Sequence, residues 1–330
     1  MNPISQSPAP GEVQSEGVRR LREIFRKAAL QGPQKAAQLV NDPALSFPQL
    51  FLLLPDLEEL ELLPELNIRN RVALLVLERK SGRPEPQASP DQPAPTGEQE
   101  RKALKWMLDT GLNWDGPAEG YDLFDASVDA AAARLLCVHH DKSALPAVCE
   151  LVFRRNRKGL LIHDLVWSLF CSCELEAPRL VAAKLLSANT QDVELACNLL
   201  HLPMPEANAD VRRRLHRQYI AWLEENKNYL HFTGENYQQT AEPTPLEVDT
   251  EARYLAKRIQ PKSARPAEPL TDEEWELLER FRELPEEEQE LLSAFSGRLQ
   301  KKNPQTWGRW IRSELSRQLE TAKAEGRNQA

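Results

Sequence analysis

The residue types that most often carry acid–base, nucleophilic or metal chemistry are sparse in this chain, with six histidines and five cysteines among 330 residues. Histidine and carboxylate cluster twice, as His139-His140-Asp141 and as His163-Asp164. Side chains of these types transfer protons or ligate metal when a fold brings them together. Their positions suggest a plainer role: His139 stands where a helix ends, near the negative end of its dipole, and His163-Asp164 opens another helix. The cysteines, Cys137, Cys149, Cys171, Cys173 and Cys197, are odd in number and fall within apolar helical patterns, so they read as small buried residues of a reduced compartment. Cys171-Ser172-Cys173 has the wrong spacing for a zinc knuckle, and no second pair stands at ligand distance. Glycine-rich phosphate loops, a nucleophile elbow and a metalloprotease helix are also missing from the sequence. The expectation is a protein without metal, cofactor or catalytic residues.

Arginine and tryptophan offer more, because they dominate the energetics of macromolecular interfaces. Arg154, Arg155, Arg157 and Lys158 end one predicted helix, and Arg212, Arg213, Arg214 and Arg217 fall on another. They read either as a basic stripe along one side of the fold or as cations placed by the helix dipole alone. Trp307 and Trp310, with Arg309 and Arg312 beside them, are the best contact surface elsewhere, unless both rings close a local core. Partner-binding candidates are thus Arg154, Arg155, Arg157, Arg213, Arg217, Trp307, Arg309, Trp310 and Arg312. Trp167, flanked by Leu165, Val166, Leu169 and Phe170, reads as core.

Helices must position these residues. With 41% hydrophobic residues the chain can build real cores, while 28% charged residues and a net charge of -8 disfavour a general nucleic-acid binder. The most apolar run, Leu50 to Leu54, is far too short to span a bilayer, and the N-terminus shows neither the basic nor the apolar region of a secretory signal. A soluble, cytoplasmic protein is expected. Residues 1–81 read as an N-terminal helical subdomain, with one helix from Glu16 to Gly32 and a leucine-rich part in which Pro48, Pro55 and Pro64 begin or interrupt short helices. Residues 82–97 are proline-rich and nearly devoid of apolar side chains, hence a disordered linker. Residues 98–234 form a helical domain, 235–269 a second linker with room for a short helix at Thr250 to Ile259, and 270–330 a C-terminal helical unit. That unit opens on a capping box, Thr271 to Glu274, and continues through three helices, the last carrying Trp307, Trp310, Ile311, Leu315 and Leu319 on one face.

Within 98–234 the sequence repeats itself at a period of about 33 residues, and each repeat is a helix pair. Asp141 to Val148 opens one pair and Glu174 to Val181 the next, with second helices at Leu160 to Cys171 and Gln191 to Leu202. The run Asp141 to Val152, an acidic residue before Ala-Leu-Pro and an apolar helix, resembles the HEAT repeat family over about Asp125 to Leu223. The second copy places Pro178 one position early, and the pair from about Asn208 lacks the motif, so armadillo-like or irregular stacking is equally open. The resemblance implies an all-α fold, a short HEAT-like α-solenoid flanked by small helical units on Pro-rich linkers.

Two enzyme families share such stacks. Deoxyhypusine hydroxylases need His-Glu pairs at equivalent positions of successive repeats, but a shift of 33 carries His139 to Ser172 and His163 to Ala130. HEAT-like DNA glycosylases hold a basic groove with aromatic residues and a catalytic Asp, a resemblance that would give Trp167, Trp222 and Asp164 those parts. The stretch Leu270 to Leu299 resembles helical hairpins of phage-repressor-like regulators, without a recognisable helix-turn-helix ahead of it, and implies only a packing module. The expected function is a non-enzymatic adaptor or scaffold binding other proteins, with self-association through the C-terminal helices. Nucleic-acid binding and a structural subunit of a larger assembly are the alternatives.

Overall fold

The computed structural model describes residues 10–82, 94–112, 114, 122–206 and 208–329, with side chains from 17 to 325. Most of the expected first linker, 83–93, lies outside the described residues. The chain is mostly helical, with sixteen α-helices and one two-stranded sheet among the described residues, as an all-α reading requires. It divides into two compact units, one ending at Ser172 and the other beginning at Cys173.

The first unit contains α1 (Pro10–Leu30), α2 (Pro33–Val40), α3 (Phe47–Glu59), α4 (Ile68–Ser81), α5 (Gly97–Gly111), α6 (Leu123–Cys137), α7 (Leu145–Arg157) and α8 (His163–Cys171). Its helices start where side chains can take up free backbone N–H groups: Ser46, Asn67, Thr96 and Asp122 all cap in this way. Pro48 sits in the first turn of α3, but Pro55 is carried inside it. Helices α3 and α4 pack on α5, so the N-terminal helices share one interior with residues beyond the first linker. Trp106 of α5 donates to the Leu45 carbonyl at 3.1 Å and packs edge-on against Phe47, while Arg69 of α4 lies over its ring at 4.3 Å. At Gly111 the helices come so close that a Cβ would meet a methyl of Val128 at 2.9 Å. The apolar faces that read as a separate subdomain are covered by α5 and α6, because leucine-rich short helices cannot bury themselves alone.

The second unit contains α9 (Glu176–Ala183), α10 (Thr190–Leu200), α11 (Ala209–Asn226), β1 (Leu230–Phe232), β2 (Leu246–Val248), α12 (Thr250–Tyr254), α13 (Asp272–Arg282), α14 (Glu286–Lys302), α15 (Pro304–Trp310) and α16 (Leu315–Gln329). The division into units falls inside the span 98–234 that the repeats suggested as one domain. Residues 235–269, expected as a linker with room for a short helix at Thr250 to Ile259, carry strand β2 and, within that span, helix α12. Strand β2 pairs antiparallel with β1, with Leu230 opposite Val248, and the Phe232 N–H donates to the Pro261 carbonyl at 2.9 Å. Tyr254 is fully buried, stacked on Phe281 with centroids 4.2 Å apart, and its hydroxyl donates to Gln318 Oε1 at 2.9 Å. Arg253 is buried as well, donating to Ser293 Oγ (2.7 Å), Asn226 Oδ1 (2.9 Å) and Glu290 Oε1 (2.6 Å). Gly297 leaves the room for it, since a Cβ there would stand 3.1 Å from Arg253 Cγ.

The Thr271 capping box forms as expected. The third C-terminal helix, expected as one, is two, α15 and α16, broken at residues 311–314. The carbonyls freed at the break are met by buried Gln318, whose amide donates to Ile311 O and Ser313 O, both at 2.9 Å.

Candidate interaction site

The basic end of α7 turns inward. Its last turn carries Arg154, Arg155 and Arg157, and Arg155 is only 3% exposed. The guanidinium donates from Nη1 to Asp129 Oδ1 at 2.5 Å and from Nη2 to Asp125 Oδ1 at 2.9 Å. Asp125 and Asp129 are one turn apart on α6, so both carboxylates face the same guanidinium. Burial pushes the Asp125 carboxyl above its usual range, and the Arg155 charge offsets this only in part. Arg154 donates to the Leu112 carbonyl, and Arg157 pairs with Glu150 at 3.2 Å. The cavity of about 30 Å³ against Arg154, Arg155, Lys158 and Asp125 has room for water and not for an organic ligand. Arg155, expected at a contact surface, thus belongs to the interior, because buried Asp129 and partly buried Asp125 require its charge there.

The outer face of α11 differs. Arg213, Arg214 and Arg217 are exposed together with Gln218, Ala221 and Trp222 on the outer half of the helix, Arg213 and Trp222 at the two edges of that half, while Tyr219, Leu223 and Asn226 are buried on the other. Asn208 caps the helix through the Asp210 N–H. Asp210 pairs with Arg213 at 2.6 Å, and the hydrogen bond from that guanidinium holds its carboxyl below the usual range. Arg217 has no ion-pair partner among the described residues. Trp222 is 37% exposed and packs at a tilt on Tyr219, ring centroids 5.5 Å apart. The inner arginine of this group, Arg212, donates instead to the Ser187 carbonyl at 2.6 Å. The site therefore joins exposed guanidinium groups with one solvent-facing indole, a surface that can pair with carboxylates or phosphates and bury an apolar patch.

The remaining candidates divide. Trp310 is 7% exposed against Phe295 and Tyr254, and Trp307 donates to Ser296 Oγ at 2.8 Å, so both rings serve the core of α13 to α16. Arg309 and Arg312 are exposed, with Arg312 paired to Glu273 at 2.7 Å. Trp167, read as core, is 37% exposed, because buried Leu165, Val166, Leu169 and Phe170 occupy the opposite side of α8. His139 Nε2 lies 3.2 Å from Glu100, which also accepts from Arg134, and Asp141 takes Arg101 at 2.7 Å. These groups tie the ends of α6 and α7 to α5.

A groove of about 550 Å³ in the second unit is lined by Cys197, His201, Leu202, Tyr237, Glu242 and Pro243 among others. His201 ends α10 in a left-handed conformation, φ 51°, and its Nε2 donates to the Pro243 carbonyl at 2.8 Å. The Cys197 thiol is pushed up by burial and points to the Pro203 carbonyl at 3.8 Å. Thiol and imidazole each engage a backbone carbonyl rather than one another, so the groove offers a polar lining and not a nucleophile–base pair.

No group of three or more His, Cys, Asp or Glu side chains among the described residues could hold a metal ion, and no described helix is long and apolar enough to cross a membrane. The exposed Trp275, Glu276, Glu279 and Glu283 were not singled out by the sequence patterns. The signal was present as a tryptophan within an acidic helix, at spacings that keep it off the buried Leu277, Leu278 and Phe281. Comparison with known proteins finds no matching family model, no matching curated protein and no matching solved structure.

Proposed function

We propose that the chain is a non-enzymatic, cytoplasmic adaptor or scaffold that recognises a macromolecular partner through the outer face of α11. The carrying observation is the exposed set Arg213, Arg214, Arg217 and Trp222 on one side of a helix whose other side is anchored by Tyr219 and Leu223. Arginine and tryptophan lose little conformational freedom per contact, which suits a recognition surface. In this reading the helix pairs of 98–234 are HEAT-like hairpins, and α11 closes their series. Affinity purification from nuclease-treated native lysate tests it. A specific set of proteins retained by the parent chain and lost with Arg213→Glu/Arg217→Glu/Trp222→Ala supports the reading. An identical retained set from both chains overturns it.

The same observation supports a second reading, in which phosphates pair with the arginines and a base stacks on Trp222. Fluorescence polarisation with a labelled single-stranded oligonucleotide separates the two. Binding that falls steeply with salt and vanishes in Trp222→Ala would favour nucleic acid.

A further inference from the structure

We propose that one partner of the α11 face is a second copy of this chain, which docks there through the outer face of α13. This rests on the reading of α11 as a recognition surface. Helix α13 with its C-cap Glu283 exposes Asp272, Trp275, Glu276, Glu279 and Glu283, spaced i, i+3, i+4, i+7 and i+11, and buries Leu277, Leu278 and Phe281 behind them. Trp275 is 47% exposed. Glu276 and Glu283 have no ion-pair partner among the described residues. The cations nearest in sequence are engaged: Arg282 chelates Glu251 with two bonds of 2.6 Å, and Arg280 folds back on the Glu276 carbonyl at 3.2 Å. Like charges three and four residues apart on one helix repel, so each face carries an unfavourable field that an opposite partner would relieve.

The two faces match in register as well as in sign. Arg213 and Arg217 are four residues apart, as are Glu283 and Glu279. At a rise of about 1.5 Å per residue, antiparallel helices would set Arg213 against Glu283 and Arg217 against Glu279 at once, while Trp222, half a turn round the helix from Arg213, lies outside that contact. Arg213 exchanges its present partner Asp210 for Glu283 in this arrangement. The contact pairs two different faces of the chain, so it is made either twice, in a reciprocal two-fold pair, or once per junction, in a ring or an open chain.

Sedimentation velocity of the full chain over a concentration series, at low and high salt, tests the proposal. The parent chain should associate at low salt and dissociate at high salt. Arg213→Glu/Arg217→Glu and Glu279→Arg/Glu283→Arg should each weaken association about tenfold or more, and an equimolar mixture of the two variants should restore it. Circular dichroism of each variant identifies one that fails to fold, and in that case Arg217→Ala and Glu279→Ala replace the charge reversals. A parent chain that stays monomeric at low salt, or a mixture that does not regain association, overturns the proposal. If the monomeric parent still retains lysate proteins that the α11 variant loses, the adaptor reading stands and self-association alone falls.

Discussion

The end of α7 and the outer face of α11 are built from the same residue type and do opposite work. At α7, Arg155 is an interior group whose surroundings require its charge: Asp129 is 2% exposed and accepts from it at 2.5 Å. At α11, Arg213 and Arg217 stand in water, where a pair such as Arg213–Asp210 contributes little to stability. The neighbouring carboxylates register the contrast. Asp125 is raised by burial even beside Arg155, whereas Asp210 is lowered by the hydrogen bond from Arg213. A cluster of arginines is therefore a structural feature or a recognition feature according to what lies beneath it, and the residues beneath are on other helices.

The largest test of this contrast is Arg155→Ala, which strands Asp129 in the interior and should cost about 3–5 kcal/mol in urea unfolding. Wild-type stability in that variant would break the comparison. Arg253 and Tyr254 extend it to the second unit. Tyr254→Phe removes the hydroxyl from fully buried Gln318 and should cost about 1–3 kcal/mol, read as a lower melting temperature. Burial pushes the Tyr254 phenol up to about 12, above its unfolded value near 10. The folded state then holds this proton more tightly, so the contribution is present below pH about 10 and is lost as pH rises through about 12. The alkaline limb of the stability profile should be shallower in Tyr254→Phe. At the other end of the scale, Arg213→Ala and Arg217→Ala should each change stability by less than about 0.5 kcal/mol while weakening partner retention.

The finest test is a carboxyl titration by nuclear magnetic resonance, in which Asp125 should titrate above and Asp210 below the usual aspartate range. The sign follows from the directions. With a raised folded value, Asp125 favours the folded state at acid pH and loses that contribution as pH rises through its folded value. With a lowered value, Asp210 favours the folded state above its unfolded value and loses the contribution as pH falls through its folded one. Similar titration of both groups would remove the distinction between the two regions.

Helix positions were legible because each carries its own signal. The Thr271 capping box, the stop at Gly32-Pro33 and the buried stripe Leu277, Leu278 and Phe281 all follow from local spacing. The β1–β2 pairing and the burial of Arg253 and Tyr254 were not legible, because a three-residue strand that follows Pro243 and Pro245 looks like a polar linker until the partners at Tyr229, Phe281 and Gln318 are known. Trp167 shows a local reading that fails by half a turn: apolar neighbours in sequence lie on the opposite side of α8.

By itself the sequence determined the helical class and most helix starts, because periodicity and caps act within a few residues. Tertiary structure alone decided that the N-terminal helices join α5 and α6 in one unit, that residues 249–259 complete the interior of the second, and which arginines remain outside. Those outcomes depend on whether a distant carboxylate or apolar face arrives to cover a given side chain, and the energy of burying a charge with or without a partner then separates an interior arginine from one that faces water.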